Sequence, residues 1–546
     1  MSLATSSVVS VTVPSAVVSG VCGALVNVEV DVLSTLPCFH VVGLPGSSVR
    51  EARERVRSAV NAAQLPFPRR RITVNLAPAD LPKHGTGLDL AIALALVGAD
   101  FAARNGGSPP WTVPTAALGE LALSGEVRAV RGILPTVEAL VRAGLRKVIV
   151  APANAPEAAL VPGAAVYPAA DLKKAWQIAC GDESEPFLMG AGPARGHERL
   201  DADLADVRGL AGARRVLEIA AAGEHSLLLE GPPGSGKSML GRCLAGILPG
   251  LDDAQALEVT RIHSAAGLLG ANSGLCRRPP LRSPHHSASV AAMVGGGRPL
   301  GPGEVSLAHR GVLFLDELPE FRRAVLEALR QPLQDGSVSI SRANRSYSFP
   351  ARFQLVATRN PCPCGFLGSL SRPCECLPGQ RDRYLQRLSG PILDRIELVH
   401  WVEPVAPNML LSAATAESSA RVKRRVEVAR ARRAERGRGL PDGASPALTG
   451  ALSRFARTAR RELEAQLSSL NGSARSVARL VALSQTIADL DNSERIHTGH
   501  VQEASLLSTR PLSAAQLSRA TQPVVQRCTT KHEGERDGGS VQRKQK

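Results

Sequence analysis

The run Leu227-Leu-Leu-Glu-Gly-Pro-Pro-Gly-Ser-Gly-Lys-Ser238 puts G-x-x-x-x-G-K-S directly behind a short apolar strand. This spacing serves phosphate binding. Gly231, Pro232, Pro233, Gly234, Ser235 and Gly236 form a loop whose amide N–H groups, the prolines excepted, turn inward around phosphate oxygens, and Lys237 reaches the β and γ oxygens. The Ser238 hydroxyl suits Mg²⁺. Met239 carries the chain into a helix expected over 237–247, whose positive N-terminal end joins the cradle. A second set of residues lies in Gly311-Val-Leu-Phe-Leu-Asp-Glu-Leu-Pro319, where an apolar strand ends in two acids. Asp316 would hold the magnesium, while Glu317 would polarise the water that attacks a γ-phosphate. A third strand, Phe353-Gln-Leu-Val-Ala-Thr-Arg-Asn360, ends in an amide, so Asn360 is assigned to the γ-phosphate or the lytic water. Finally, Ser389-Gly-Pro-Ile-Leu-Asp-Arg-Ile-Glu-Leu398 presents Arg395. Delivered from a neighbouring subunit, this cation would stabilise transition-state charge; a surface ion pair with Asp394 or Glu397 is the competing assignment.

These side chains converge only if the strands before them lie side by side. Short, wholly apolar runs are the pattern of parallel strands buried on both faces, and ligands bind outside the carboxyl ends of such sheets. The expected fold is therefore α/β around a P-loop core. Two inserts interrupt it. The first, 265–303, holds Arg277, Arg278, Arg282, His285, His286 and a Gly295-Gly-Gly-Arg298 loop. Adjacent histidines should point in different directions, which favours loop packing or phosphate contact over a shared metal. The second, 336–349, alternates about an Ala343-Asn344 turn as a β-hairpin does, with Arg342 and Arg345 near its tip. On this pattern alone, a solvated edge hairpin carrying two cations is one assignment. Behind the third strand, Cys362, Cys364, Cys374 and Cys376 crowd into one loop. Tetrahedral zinc suits such density, although C-x-C is a short bite, and free structural thiols or a redox switch are alternatives.

The P-loop, the run from Gly303 to Phe321, the Arg282-Ser-Pro-His-His-Ser287 segment and Arg359-Asn-Pro-Cys-Pro-Cys-Gly365 together resemble the magnesium-chelatase-related AAA+ ATPases of the ComM/YifB type, over about 17–509. The resemblance implies ATP and Mg²⁺ as ligands, a homo-oligomeric ring and an association with DNA. Better-understood members act as hexameric helicases that drive branch migration during recombination in natural transformation, so branched or single-stranded DNA and recombination proteins are the implied partners. In this branch a hairpin before the third motif strand lines the ring pore, so the resemblance makes Arg342 and Arg345 the preferred DNA contacts. The family's lid helix points to Arg475 as a nucleotide-sensing cation, with Arg479 as second choice. Two other functions stay open: a chelatase motor subunit inserting Mg²⁺ into a porphyrin, and a nucleotide-gated scaffold for recombination proteins.

Composition is compatible with this. The chain has 546 residues, enough for three cores, and a formal net charge of +16 that favours a polyanionic partner. Aromatic residues make up only 3%, which argues against a stacking platform and for backbone contacts by arginine. No Lys or Arg precedes Arg50, so a secretory n-region is absent, and the apolar run 90–99 is too short to span about 30 Å of hydrocarbon. A cytoplasmic protein without membrane contact is expected, its remaining cysteines (Cys22, Cys38, Cys180, Cys243, Cys276, Cys528) mostly buried as small hydrophobes.

The N-terminal part, 1–186, reads as a separate α/β domain, with strands at 8–13, 26–32 and 71–76 and helices at 49–63 and 88–99. Resemblance suggests the ribosomal-S5-like fold shared with the Lon protease domain. That fold raises an ATP-dependent protease as a further class. Pro82-Lys-His-Gly-Thr-Gly-Leu88 puts Gly87 at the position of the Lon nucleophile, however, and Gly132-Ile-Leu-Pro-Thr136 lacks the lysine, so peptidase chemistry is not expected. A linker at 187–200, an ATPase core at 201–404 including the cysteine loop, a helical lid at 405–510 with a long basic helix at 421–438, and a basic, disordered tail at 511–546 complete the division.

Overall fold

The computed structural model describes residues 10–508 except 34, 106, 112, 182–184, 189–201, 271–273, 298–299, 343–344, 370–371, 389, 407, 410–415, 438–447 and 470–473. Most of the 187–200 linker, the hairpin turn Ala343-Asn344, Arg298, Ser473 and the tail therefore lie outside the described residues.

The chain opens with β1 (Ser10–Ser19) and β2 (Cys22–Leu33), then β3 (Cys38–Val42), helix α1 (Ala52–Ala62), β4 (Arg71–Ala77) and helix α2 (Asp89–Arg104). The sheet runs β1-β2-β4-β3, antiparallel except for the parallel β3–β4 pair. In β2 the strict alternation buries Val26, Val28, Val30 and Val32, while Asn27, Glu29 and Asp31 stay half-buried. The first strand runs on to Ser19 instead of stopping near Val13, and Pro14 is tolerated inside it because β1 is an edge. Helix α2 also outruns its apolar core, reaching Arg104, where an ion pair with Asp100 (2.7 Å) supports the last turn. Three parallel strands, β5 (Thr115–Leu118), β6 (Lys147–Val150) and β7 (Ala165–Pro168), form a second sheet with α3 (Ile133–Arg142) and α4 (Leu172–Cys180).

The P-loop core follows with α5 (Ala211–Gly223), β8 (Leu227–Glu230), α6 (Lys237–Ile247), α7 (Asp253–Ala266), β9 (Leu281–Arg282), β10 (Val312–Leu315), the hairpin β11 (Ser337–Arg342) and β12 (Arg345–Pro350), β13 (Gln354–Arg359), α8 (Pro378–Leu385) and β14 (Leu398–Trp401). Its sheet has the order β9-β10-β13-β8-β14 with every pair parallel. β8, β10 and β13 are buried along their whole lengths, as parallel strands covered on both faces must be. Helices α9 (Ser419–Gly437), α10 (Arg457–Ser469), α11 (Ala474–Leu490) and α12 (Thr498–Ser508) pack beside this core. The basic helix α9 is not simply solvated. Arg430 donates to Ala221 O (2.7 Å), Arg433 to Gly223 O (2.7 Å) and Arg436 to Asp489 (2.8 Å), so three arginines anchor it to α5 and α11.

The N-terminal part touches the core along α3 and α7, where Arg261 pairs with Glu138 (2.7 Å) and the Ser264 hydroxyl donates to Glu157 (2.5 Å). Among the described residues no helix is long and apolar enough to cross a membrane.

Candidate active site

Strand register brings the proposed site residues to one edge. Glu230 of β8 lies opposite Arg359 of β13, and Leu315 of β10 lies opposite Ala357. The phosphate loop, the acid pair and Asn360 therefore all leave the sheet at its carboxyl end. Glu230 and Arg359 form a buried ion pair beneath them.

The loop has the backbone its glycines permit. Gly236 adopts φ +88° at the start of α6, in the left-handed region. At Gly231 a Cβ would stand 2.3 Å from Val402 O, so only glycine lets the loop pass this close to the segment behind β14. Lys237 is buried, and its Nζ donates to Gly231 O (2.9 Å) and Pro232 O (2.7 Å), folding back over the loop. Burial pushes its ammonium below the ordinary value, against the pull of Asp316 and Glu317. The Ser235 hydroxyl is 2% exposed and has no hydrogen-bond partner among the described residues. An orphaned buried hydroxyl and a buried cation held only by carbonyls are what an anionic ligand would satisfy, so the loop fits a nucleotide phosphate with its magnesium. Met239, by contrast, has 36% of its surface exposed, one turn into the helix.

The acids are fixed by a residue that sequence reasoning left without a role. Thr358 Oγ1 donates to Asp316 Oδ1 (2.5 Å) and accepts from the Glu317 N–H (3.0 Å). One hydroxyl thus orients a carboxylate and holds the neighbouring residue, which has φ +53°, a conformation strained for a residue with a side chain. Thr358 was legible only as a polar residue in an apolar strand, directly opposite the position after Leu315.

The cysteine quartet lies against this cradle. All four sulfurs fall within 4.8 Å of one another, with Cys362–Cys364 at 3.4 Å, Cys362–Cys374 at 3.5 Å and Cys364–Cys374 at 3.6 Å. Four thiolates about 2.3 Å from a zinc ion stand about 3.8 Å apart, so the C-x-C bite is no obstacle to a tetrahedral site. Amide N–H groups also donate to the sulfurs, from Leu367 to Cys362 (3.4 Å) and from Cys364 to Cys376 (3.3 Å). Although desolvation raises Cys364, the amides of Phe366 and Glu375 among its hydrogen-bond partners bring it down to about 6. Gly365, at φ +84°, presses on the P-loop; a Cβ there would stand 2.6 Å from Pro233 Cδ. The remaining cysteines depart from expectation: Cys243 is buried, Cys22 is exposed, Cys38, Cys180 and Cys276 are intermediate, and Cys528 lies outside the described residues.

The outer cations are placed differently. Arg395 is half-buried and makes neither of the ion pairs considered for it. It donates to Gln334 Oε1 (2.6 Å) and Pro391 O (2.8 Å), because Glu397 is taken by His225 Nδ1 (2.8 Å). His225 Nε2 also meets Thr486 of α11 (2.9 Å), tying the P-loop core to that helix. Arg475 is exposed on α11, whereas Arg479, one turn on, is half-buried and donates to Asp394 O (2.8 Å). Arg342 donates to Gly297 O (2.6 Å), and Arg345 pairs with Asp80 of the N-terminal part. The hairpin thus rests on the rest of the chain, with Phe349 fully buried in a cluster that includes Val21. His285 and His286 correct another expectation: instead of pointing apart, their rings lie together with centroids 4.0 Å apart and planes tilted by 35°.

Comparison with known proteins covers nearly the whole chain. Residues 203–410 match the family described as magnesium chelatase, subunit ChlI; residues 28–154 match subunit ChlI of Mg-chelatase, and residues 416–507 its C-terminal family. The chain is 44% identical over 437 residues to an uncharacterised protein of Mycobacterium tuberculosis, covering 78% of this chain and 83% of that one. It is 43% identical over 492 residues to the Escherichia coli protein YifB (89% and 94%), and 42% identical over 503 residues to the competence protein ComM of Haemophilus influenzae (89% and 94%).

Proposed function

This chain belongs to the magnesium-chelatase-related family of the ComM/YifB type, and from that premise we propose that it is an ATP-hydrolysing, ring-forming motor that moves strands of branched or single-stranded DNA during recombination of incoming DNA. The observation that carries the reading is the strand-end geometry, with the Lys237 ammonium buried beside an acid pair that Thr358 ties together.

In this mechanism the loop amides of 231–238 and Lys237 bind the phosphates, with Lys237 exchanging its contacts to Gly231 O and Pro232 O for phosphate oxygens. Ser238 and Asp316 would hold Mg²⁺, which would supply charge neutralisation of the transferring phosphoryl group. Glu317 orients and deprotonates the attacking water from a backbone fixed by Thr358, and Asn360 supplies an amide beside it. Arg395 reaches out of its own subunit to the site of the next, and Arg475 senses the nucleotide from the lid. Each chain then supplies every catalytic group but one, which makes a closed ring, a hexamer in this proposal, the working unit.

The finer organisation is part of the proposal. The N-terminal 186 residues form a ribosomal-S5/Lon-like domain without peptidase groups, followed by a linker, a core to 404 and a lid to 510. Lys83 fits that assignment, since it is fully buried and its Nζ donates to Gly43 O and Leu76 O (both 2.8 Å), leaving no amine free to activate a nucleophile. Cys362, Cys364, Cys374 and Cys376 hold zinc that braces the phosphate loop through Gly365. In this proposal the protein acts in the cytoplasm and serves competence, a reading supported by its likeness to a competence protein.

ATP-dependent strand displacement on a forked or four-way DNA tests the function. Purified protein should separate strands with ATP and not with a non-hydrolysable analogue. Replacing Arg342 and Arg345 by Ala should abolish displacement while sparing ATP binding. A wild-type protein that binds DNA and hydrolyses ATP but never moves a strand is a scaffold, and one that ignores DNA leaves the chelatase motor as the reading.

A further inference from the structure

Two adjoining clefts of 510 and 340 Å³ open between the turn Leu318–Glu320, just past the acid pair, and helix α8 behind the cysteine loop. Glu320, Arg383 and Arg387 line both, while Arg323 lines only the larger and Pro363 only the smaller. The three arginines are exposed. Arg387 donates to both oxygens of Glu320 (3.2 and 3.1 Å), Arg383 commits only Nε, to Gly379 O (3.1 Å), and Arg323 makes no ion pair among the described residues. Aromatic residues here offer no face for stacking, because Phe321 and Tyr384 are buried in the walls.

We propose that this paired cleft is a track for the phosphodiester backbone of single-stranded nucleic acid, with the Glu320 carboxylate standing in for a phosphate when the track is empty. The proposal rests on the DNA-motor reading and adds a second contact surface to the hairpin. Three guanidiniums spread over two adjoining clefts suit an extended polyanion better than a single small anion, and the absence of a stacking face makes the contact blind to base sequence. The placement also links grip to chemistry. Glu320 lies three residues after Glu317, and Pro363 lies between Cys362 and Cys364, so phosphate that takes Arg387 from Glu320 frees the segment carrying the catalytic acid. Bound DNA should therefore speed hydrolysis through Glu320.

The test uses the full-length protein, a fluorescent 30-nucleotide oligo-dT and a salt titration. Arg383→Ala/Arg387→Ala should weaken binding about 10-fold at 0.1 M salt and lower the log–log salt slope by about 1.4, about 0.7 per lost phosphate contact on a single strand. Glu320→Gln, which removes the in-chain competitor, should act oppositely and tighten binding several-fold, a gain that damaged folding cannot produce. Unchanged affinity and slope in the double arginine variant, or no tightening in Glu320→Gln, overturns the track while leaving the motor reading intact. Loss of ring assembly at unchanged DNA affinity also overturns it and assigns the arginines to a neighbouring copy of the chain. If the wild type binds no oligo-dT, the motor reading fails first and the track with it.

Discussion

The nucleotide cradle and the arginines around it are built on opposite terms. In the cradle these polar groups are fixed by their own chain, with Lys237, Thr358, Arg359 and Glu230 buried, Asp316 half-buried and Glu317 exposed: Lys237 is held on loop carbonyls, Asp316 and the Glu317 backbone on Thr358, Arg359 on Glu230. At the rim Arg395, Arg342, Arg345 and Arg387 are exposed or half-exposed and hold replaceable partners, a glutamine, a carbonyl and two surface carboxylates. Surface pairs of this kind contribute about 0–1 kcal/mol, so exchanging them for phosphate costs little. A buried network is built to keep its geometry. The rim is built to change partners.

The sharpest way to break this contrast is to remove the catalytic acid. Glu317→Gln keeps the shape and the Thr358 contact to its backbone, so ATP should still bind while phosphate release falls by about 10³-fold. Near-wild-type turnover would mean that the chemistry lies elsewhere. Mixing separates cradle from rim. Arg395→Ala subunits, inactive alone, should regain a measurable fraction of turnover when mixed with Glu317→Gln subunits, since some interfaces then hold both intact residues. No rescue in a mixed oligomer would place Arg395 outside the neighbour's site.

Thr358→Val probes the fixed side more gently. It preserves volume while orphaning the Glu317 N–H and freeing Asp316, so kcat should fall about 10-fold with KM changed by no more than a few-fold. A wild-type kcat would show that Asp316 and Glu317 are held by the strand ends alone.

The cradle was legible in the sequence because its spacing is rigid: glycines demanded by backbone, acids at the end of an apolar strand, and helix α6 starting at Lys237. Thr358 was not, because its role depends on which strands are neighbours, and β13 lies between β8 and β10 only in the folded sheet. The rim was read least well for a related reason. Long arginine side chains choose partners far away in sequence, such as Asp80 for Arg345 and Gln334 for Arg395, and no local pattern encodes those meetings. Two local rules mislead: the first strand is expected to end at Val13 yet runs through Pro14 on a sheet edge, and adjacent His285 and His286 are expected to point apart yet bring their rings together.

The cysteine quartet lies between the two regimes, fixed among its own sulfurs and pressing on Pro233. Protein purified without added zinc should carry about one zinc per chain. Cys362→Ser/Cys364→Ser should lose it and weaken ATP binding several-fold, through a loosened phosphate loop, more than it weakens DNA binding. Metal-free, well-folded wild type would remove zinc, and equal losses of both affinities would remove the link to the loop.

The smallest expected effect concerns acid. His309 precedes the turn into β10, is buried, accepts the Arg352 N–H at Nδ1 (3.1 Å) and faces Glu258 through Nε2 (3.3 Å), with Arg310 also on Glu258. Burial, with Arg310 and Arg352 nearby, brings its pKa down from 6.5 to about 4 despite Glu258. Between those values the unfolded chain binds a proton that the folded chain refuses. Its contribution is therefore complete above about pH 6.5 and is lost as pH falls toward 4, up to about 3 kcal/mol. Protonation would also take away the Nδ1 lone pair that holds the Arg352 amide, at the start of the segment entering β13. Melting temperature should thus fall between pH 7 and 4.5 more steeply in the wild type than in His309→Asn, which cannot titrate, and nucleotide affinity should fall before DNA affinity. Parallel melting profiles would show that the fixed side of the molecule does not depend on a neutral His309.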